Sequence, residues 1–183
     1  VDLSSMIVTC TLLLALLIEP SIGKLRCDYG GYVLVGSYCY YVDDQYYLGT
    51  NFAEQRILCE SIGGTLPCWV NKEDQDGLVE FVDKSREVNF NSFFIGLKCD
   101  LAGSNINGVG HWAWIERNYR YDKSLASFAD KRTDPENCSD TNATYLLTPN
   151  KEWREFSSFP VGFSPAIAVC QRLPVLDSST DPS

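Results

Sequence analysis

Histidine occurs once in these 183 residues, at His111, and that scarcity removes whole classes of chemistry. A multi-histidine metal centre and a relay of histidine acids and bases both need more imidazoles than the chain has. Basic residues are also few: 15 Lys and Arg stand against 24 Asp and Glu, a net charge of −9. No Lys/Arg-rich run occurs, so neither nucleic acid nor anionic lipid is expected as a partner. No Gly-rich phosphate loop follows a strand, and no internal repeat or interior linker divides the chain. The longest apolar run, Met6 to Ile18, is shorter than the roughly 20 residues that a membrane-spanning helix needs.

That run reads instead as a secretory leader. Glu19-Pro20 closes it, and Ser21-Ile22-Gly23 puts small residues at −3 and −1 of a cleavage before Lys24. The expected organisation is a signal peptide over 1–23, one domain over 24–172 and a polar, Pro-punctuated, disordered tail over 173–183. Seven of eight cysteines lie beyond the leader: Cys27, Cys39, Cys59, Cys68, Cys99, Cys138 and Cys170, with Cys10 inside it. Such a density points to an oxidising, extracellular compartment.

Along the domain, Tyr32–Val35 and Tyr38–Tyr41 are β-prone runs separated by Gly36-Ser37, a hairpin signal. A helix is predicted over Phe52–Ile62, with Asn51 as N-cap, Glu54 three residues on and Gly63-Gly64 as its stop. Ala53, Ile57, Cys59 and Ile62 are expected on its inner face. A second helix opens at Asn71 and carries Leu78, Phe81 and Val82 at helical spacing. Ser92–Leu97 is an apolar run fit for one buried strand. Trp112-Ala-Trp114 alternates as a half-buried strand does, loop is expected from Glu116 to Asn142, and strands resume at Thr144–Leu147, Glu152-Trp153 and Ala166–Gln171. Helices early and strands late make an α+β fold.

This order of features resembles the C-type-lectin-like domain, and the match covers nearly all of residues 27–172. Cys39-Tyr40 matches the family's Cys-Tyr, Gly63-Gly64-Thr65-Leu66 its Gly-Gly-x-Leu, and Phe94-Ile95-Gly96-Leu97 its Trp-Ile-Gly-Leu. Trp112-Ala113-Trp114 matches its Trp-x-Trp; Pro135 before Cys138, then Trp153, then Val169-Cys170-Gln171 complete the series. The resemblance implies a two-helix fold with short antiparallel strands and long loops, bridges Cys59–Cys170 and Cys27–Cys39, and a core holding Phe94, Trp112, Trp114 and Trp153. It implies a non-enzymatic recognition protein binding glycans or protein surfaces through the loops between Cys99 and Asn150. An antagonist or matrix component without sugar affinity is the alternative.

Sugar-binding members of that family hold Ca²⁺ with side-chain oxygens from a pair flanking a proline and from an Asn-Asp pair after a Trp; the ion wants six to eight oxygens. The equivalents here are Asp134-Pro135-Glu136 and Trp153-Arg154-Glu155, so Asp134, Glu136, Arg154 and Glu155 are the candidate ligand-binding residues. Arg154 is a permanent cation that cannot coordinate a metal. The calcium site is therefore expected to be degenerate, and no cofactor is expected.

No enzyme is expected either. A Cys–His nucleophile pair would have to use His111 with Cys138 or Cys68; bridged cysteines and a surface histidine beside Trp112 account for the same residues. The sequons Asn137-Cys-Ser139 and Asn142-Ala-Thr144 mark surface loops for glycosylation, Asn142 being the better acceptor. With two bridges given by resemblance, Cys68, Cys99 and Cys138 remain. Cys68–Cys99 is favoured and Cys99–Cys138 is the alternative; either leaves one thiol, which in the favoured pairing makes Cys138 the link of a disulfide-bonded dimer.

Overall fold

The computed structural model describes residues 24–43, 51–85, 92–101, 109–116, 120–139, 145–155 and 167–177. The leader over 1–23, the sequon at Asn142 and the tail from 178 onward lie outside the described residues. Residues Arg26–Val175 form one compact unit; Val1–Leu25 with Leu176–Ser183 form another, in which Asp177 N–H donates to the Lys24 carbonyl at 2.9 Å.

The strands are β1 (Leu25–Arg26), β2 (Val33–Val35), β3 (Tyr38–Val42), β4 (Phe93–Phe94), β5 (Leu97–Asp100), β6 (Gly110–Trp114), β7 (Asn137–Cys138), β8 (Tyr145–Leu147), β9 (Trp153–Glu155), β10 (Val169–Arg172) and β11 (Val175–Leu176). The helices are α1 (Phe52–Ser61) and α2 (Lys72–Lys84). Three small antiparallel sheets run β10-β3-β2, β4-β8-β9 and β5-β6-β7, and β1 pairs with β11. The fold is α+β, as the order of helical and alternating patterns predicts.

Local chemistry sets the element ends. Asn51 caps α1 by accepting from Glu54 N–H at 3.0 Å, while Glu54 Oε2 accepts from Asn51 N–H at 3.1 Å, a reciprocal capping box. The helix ends where Gly63 takes φ +73°, which a side chain resists. Gly63 N–H then reaches the Glu60 carbonyl and Gly64 N–H the Cys59 carbonyl, a Schellman closure. Asn71 caps α2, and Asp74 there also accepts from Ser37 N–H at 3.2 Å, tying the helix start to the Gly36-Ser37 turn.

The face of α1 differs from the predicted one. Ala53 is exposed and Ile57 is 64% exposed, whereas Gln55 and Cys59 are buried. The Cys59–Cys170 bridge fixes which side of the helix turns inward, and Phe52 and Gln55, seven and four residues before Cys59, follow it. The apolar run Ser92–Leu97 also splits into β4 and β5, which join different sheets. At the break Gly96 N–H donates to Pro67 O and Gly96 O accepts from Ile115 N–H, so the chain changes partners there. The segment predicted as loop from Glu116 to Asn142 contains a 3₁₀ turn (Lys123–Leu125) and β7, which pairs with β6.

The core is aromatic. Trp69, Trp114 and Trp153 contact one another with ring centroids 5.2–5.9 Å apart, and Trp112 stacks edge-on to Tyr145 at 5.3 Å. Trp153 Nε1–H donates to Gln75 Oε1 at 2.9 Å, both residues being buried. Around the Cys59–Cys170 bridge a smaller cluster gathers Leu66, Phe94 and Leu146. Phe94, Trp112, Trp114 and Trp153 are thus core residues, as expected.

Three bridges staple this unit: Cys27–Cys39, Cys59–Cys170 and Cys99–Cys138. The favoured Cys68–Cys99 pairing is corrected, and with it the dimer through Cys138. Cys99 on β5 and Gly110–Cys138 on the β6–β7 ladder share one sheet, which brings Cys99 and Cys138 to a Cα separation of 5.8 Å, within disulfide reach. Among the described residues Cys68 is the free cysteine, and it has no exposed surface.

Candidate functional site

Asp134, Glu136 and Asn137 meet in the turn that leads into β7. Asp134 Oδ1 accepts from Glu136 N–H at 2.8 Å and from Asn137 N–H at 3.3 Å, and its Oδ2 accepts from the Asn137 side-chain amide at 2.9 Å. The Asn137 amide, helped by the Glu136 N–H, holds the Asp134 carboxyl below the usual carboxylate range. Glu136 is ion-paired with Lys123 from the 3₁₀ turn, and that pairing raises the Lys123 ammonium. Asp122 caps the same turn by accepting from Ser124 N–H at 2.8 Å, which lowers its own titration.

The other two candidates stand on β9. Arg154 is exposed and reaches Glu152 at 3.3 Å, and Glu155 is half-buried beside it in sequence. Asp134 already accepts three N–H groups, Glu136 carries an ammonium, and a guanidinium stands where an oxygen ligand is required. Among the described residues no group of three or more His, Cys, Asp and Glu side chains could hold a metal ion.

What the turn does build is one wall of an open groove of about 940 Å³. His111, Trp112, Arg120, Tyr121, Lys123 and Glu136 line it, with Val70 at one edge. Trp112 Nε1–H donates to the Asp134 carbonyl at 2.9 Å, and Tyr121 Oη–H donates to the Pro135 carbonyl at 2.7 Å. Burial, with the nearby Asp122 and Asp134 charges, pushes the Tyr121 hydroxyl up to about 12. The Cys99–Cys138 bridge and the β6–β7 ladder hold the floor.

Sequence reasoning missed Arg120, Tyr121 and Lys123, and no local signal marks them. Lys123 meets Glu136 across thirteen positions of irregular chain. The thiol–imidazole alternative has no support. Cys138 sulfur is taken by Cys99, and burial holds the Cys68 thiol in its protonated form while Gln171 Nε2 lies 3.7 Å from its sulfur.

Solved structures place the fold. The carbohydrate-recognition domain of cow CD23, crystallised in the presence of a GlcNAc2Man3 oligosaccharide, matches with a TM-score of 0.55 at 18% identity, covering 83% of this chain and 99% of that one. A calcium-independent type II antifreeze protein matches with a TM-score of 0.55 at 17% identity over 83% and 98%. Human lithostathine matches with a TM-score of 0.53 at 17% identity over 79% and 98%. No protein-family model matches the chain, and no curated protein sequence matches it significantly. The fold is that of a C-type-lectin-like domain.

Proposed function

We propose that this chain is a secreted, non-enzymatic recognition domain that binds glycans or protein surfaces without calcium. One observation carries the reading: both acids flanking Pro135 are already committed, Asp134 to its own turn and Glu136 to Lys123. The likeness to a calcium-independent antifreeze protein is in keeping with that, and the CD23 domain crystallised with an oligosaccharide keeps glycans in view as ligands. Three disulfides suit an extracellular setting, and no described helix is long and apolar enough to cross a membrane. An acidic surface disfavours nucleic acid. The proposed division is a leader over 1–23, removed before Lys24, the recognition domain over 24–172 and the polar tail beyond. Sequencing of the secreted protein checks this by its first residue.

The test is a glycan array probed with and without EDTA, alongside thermal unfolding in millimolar calcium. Binding that survives EDTA, with no calcium-dependent rise in melting temperature, is expected, because a metal that binds only the native state raises it. A rise of several degrees that Glu136→Ala or Glu155→Ala abolishes would refute the reading.

A further inference from the structure

We infer that the small pocket between the end of α1 and the end of β10 binds an apolar α-amino acid in its zwitterionic form. The pocket has a volume of about 300 Å³ and shares no lining residue with the groove beside β6. Gly63, Gly64 and Thr65 after α1, Glu116 after β6, and Arg172 at the end of β10 form its polar walls. Tyr29, Leu173 and Val175 also line it.

Arg172 is positioned and still has donors to give. Its guanidinium lies over the Tyr29 ring, and Nη1 donates to the Ile62 carbonyl at 3.4 Å. That is its one hydrogen bond among the described residues, so most of its five N–H donors remain. The stack on Tyr29 fixes the plane of the fork, which binds a carboxylate through two parallel hydrogen bonds. Gly63 allows this placement, because a Cβ there would stand 3.1 Å from Nη1. The wall behind is stiff: Thr65 and Gln171 exchange backbone hydrogen bonds at 3.0 and 2.8 Å.

The charges around the pocket select the ligand. α1 has no basic residue in its last turn, so its carbonyl end leaves partial negative charge beside Gly63, and Glu116 adds a full one. A simple anion is repelled by both, and a simple cation is repelled by Arg172. An α-amino acid carries both charges on one carbon, its carboxylate for Arg172 and its ammonium for Glu116. A carboxylate accepts from several donors at once, so Glu116 takes the ammonium alongside its contacts within the protein. The remaining part of the match is apolar. Leu173 is 63% exposed and Val175 is half-buried, so an aliphatic side chain laid across them is withdrawn from water. The volume stands at the lower end of the roughly 300–1,000 Å³ typical of small-ligand pockets, which fits one amino acid and is too small for an oligosaccharide or a protein segment.

The experiment is an NMR titration of the secreted protein with leucine, N-acetyl-leucine, leucinamide and glycine, followed at the backbone amides of Gly63 and Gly64. Leucine should shift those signals saturably. The two blocked forms each lack one charge and glycine lacks the side chain, so each should bind about tenfold more weakly, the size of losing one charge-assisted hydrogen bond or one buried aliphatic group. Arg172→Gln should bring leucine down to the level of leucinamide while leaving leucinamide itself within about twofold. Glu116→Gln should do the same toward N-acetyl-leucine. Arg132→Ala, an exposed residue paired with Asp130, should match the parent. Thermal unfolding of each variant separates lost binding from lost fold.

Equal binding of leucine and its two blocked forms overturns the zwitterion as ligand. Leucine binding that spares the Gly63 and Gly64 signals, or that neither charge variant weakens, overturns the site. Absence of saturable leucine binding overturns the inference as a whole. Each of these leaves the calcium-independent reading above standing, because that reading rests on the Asp134 turn and the Lys123–Glu136 pair.

Discussion

Replacing Cys68 by alanine separates the two ways of pairing the last cysteines. In the structure Cys68 is unbridged and fully buried, and its sulfur lies 3.7 Å from Gln171 Nε2. Cys68→Ala therefore deletes one buried heavy atom and a weak contact, worth about 1 kcal/mol. Cys99→Ala with Cys138→Ala removes a bridge whose ends are 39 residues apart, which the chain-entropy model puts at about 3.9 kcal/mol. Had Cys68 paired with Cys99, the Cys68→Ala change would open a loop of about 30 residues and cost about 3.7 kcal/mol. For a domain of this size 1 kcal/mol moves the melting temperature by about 2–4 °C, so the structure predicts losses of about 2–4 °C for the single variant and about 8–16 °C for the double. Thermal unfolding of non-reduced protein reads both, and urea midpoints at constant slope confirm that stability alone has changed. A Cys68→Ala loss equal to that of the double variant, or a covalent dimer of the parent on a non-reducing gel, would refute the pairing.

Three further outcomes follow from named contacts. Gln75→Met keeps the volume but strips the acceptor from the buried Trp153 indole N–H, and should cost about 1–3 kcal/mol in urea unfolding. A cost under half a kcal/mol would mean that the bond does not matter. Gly64→Ala puts a Cβ 2.5 Å from Tyr32 Oη and 2.9 Å from the Gln171 carbonyl, so it should cost about 1–3 kcal/mol, whereas Gly30→Ala, with nothing within 4 Å, should cost far less. Asp134 titrates below its ordinary value because Asn137 and Glu136 donate to it. Its stabilising effect is thus complete above the unfolded carboxylate value near 3.9 and is lost as pH falls through the lower folded value, so the gap in urea midpoint between parent and Asp134→Ala should close in that window and stay open above it.

Local sequence determined the parts of this protein whose physics is local. Asn51 and Glu54 cap α1, Gly63 stops it with a left-handed residue, and Trp112-Ala-Trp114 alternates because a strand exposes every second residue. The ordered motifs were enough to indicate the fold, and the bridge from Cys59 to Cys170 with it. Arg154 on its own already argued against a calcium shell.

Only the tertiary structure decided the rest, because those features join residues that nothing local relates. The inward face of α1 is set by a covalent bond to a strand 111 residues away, which outweighs the modest apolar preference of Ile57 for burial. Cys99 finds Cys138 because β6 lies between β5 and β7, a neighbourhood that spacing along the chain does not encode. The groove exists for the same reason: Lys123, Glu136, Tyr121 and Trp112 converge from irregular chain and one strand, held by hydrogen bonds to carbonyls that have no sequence signature.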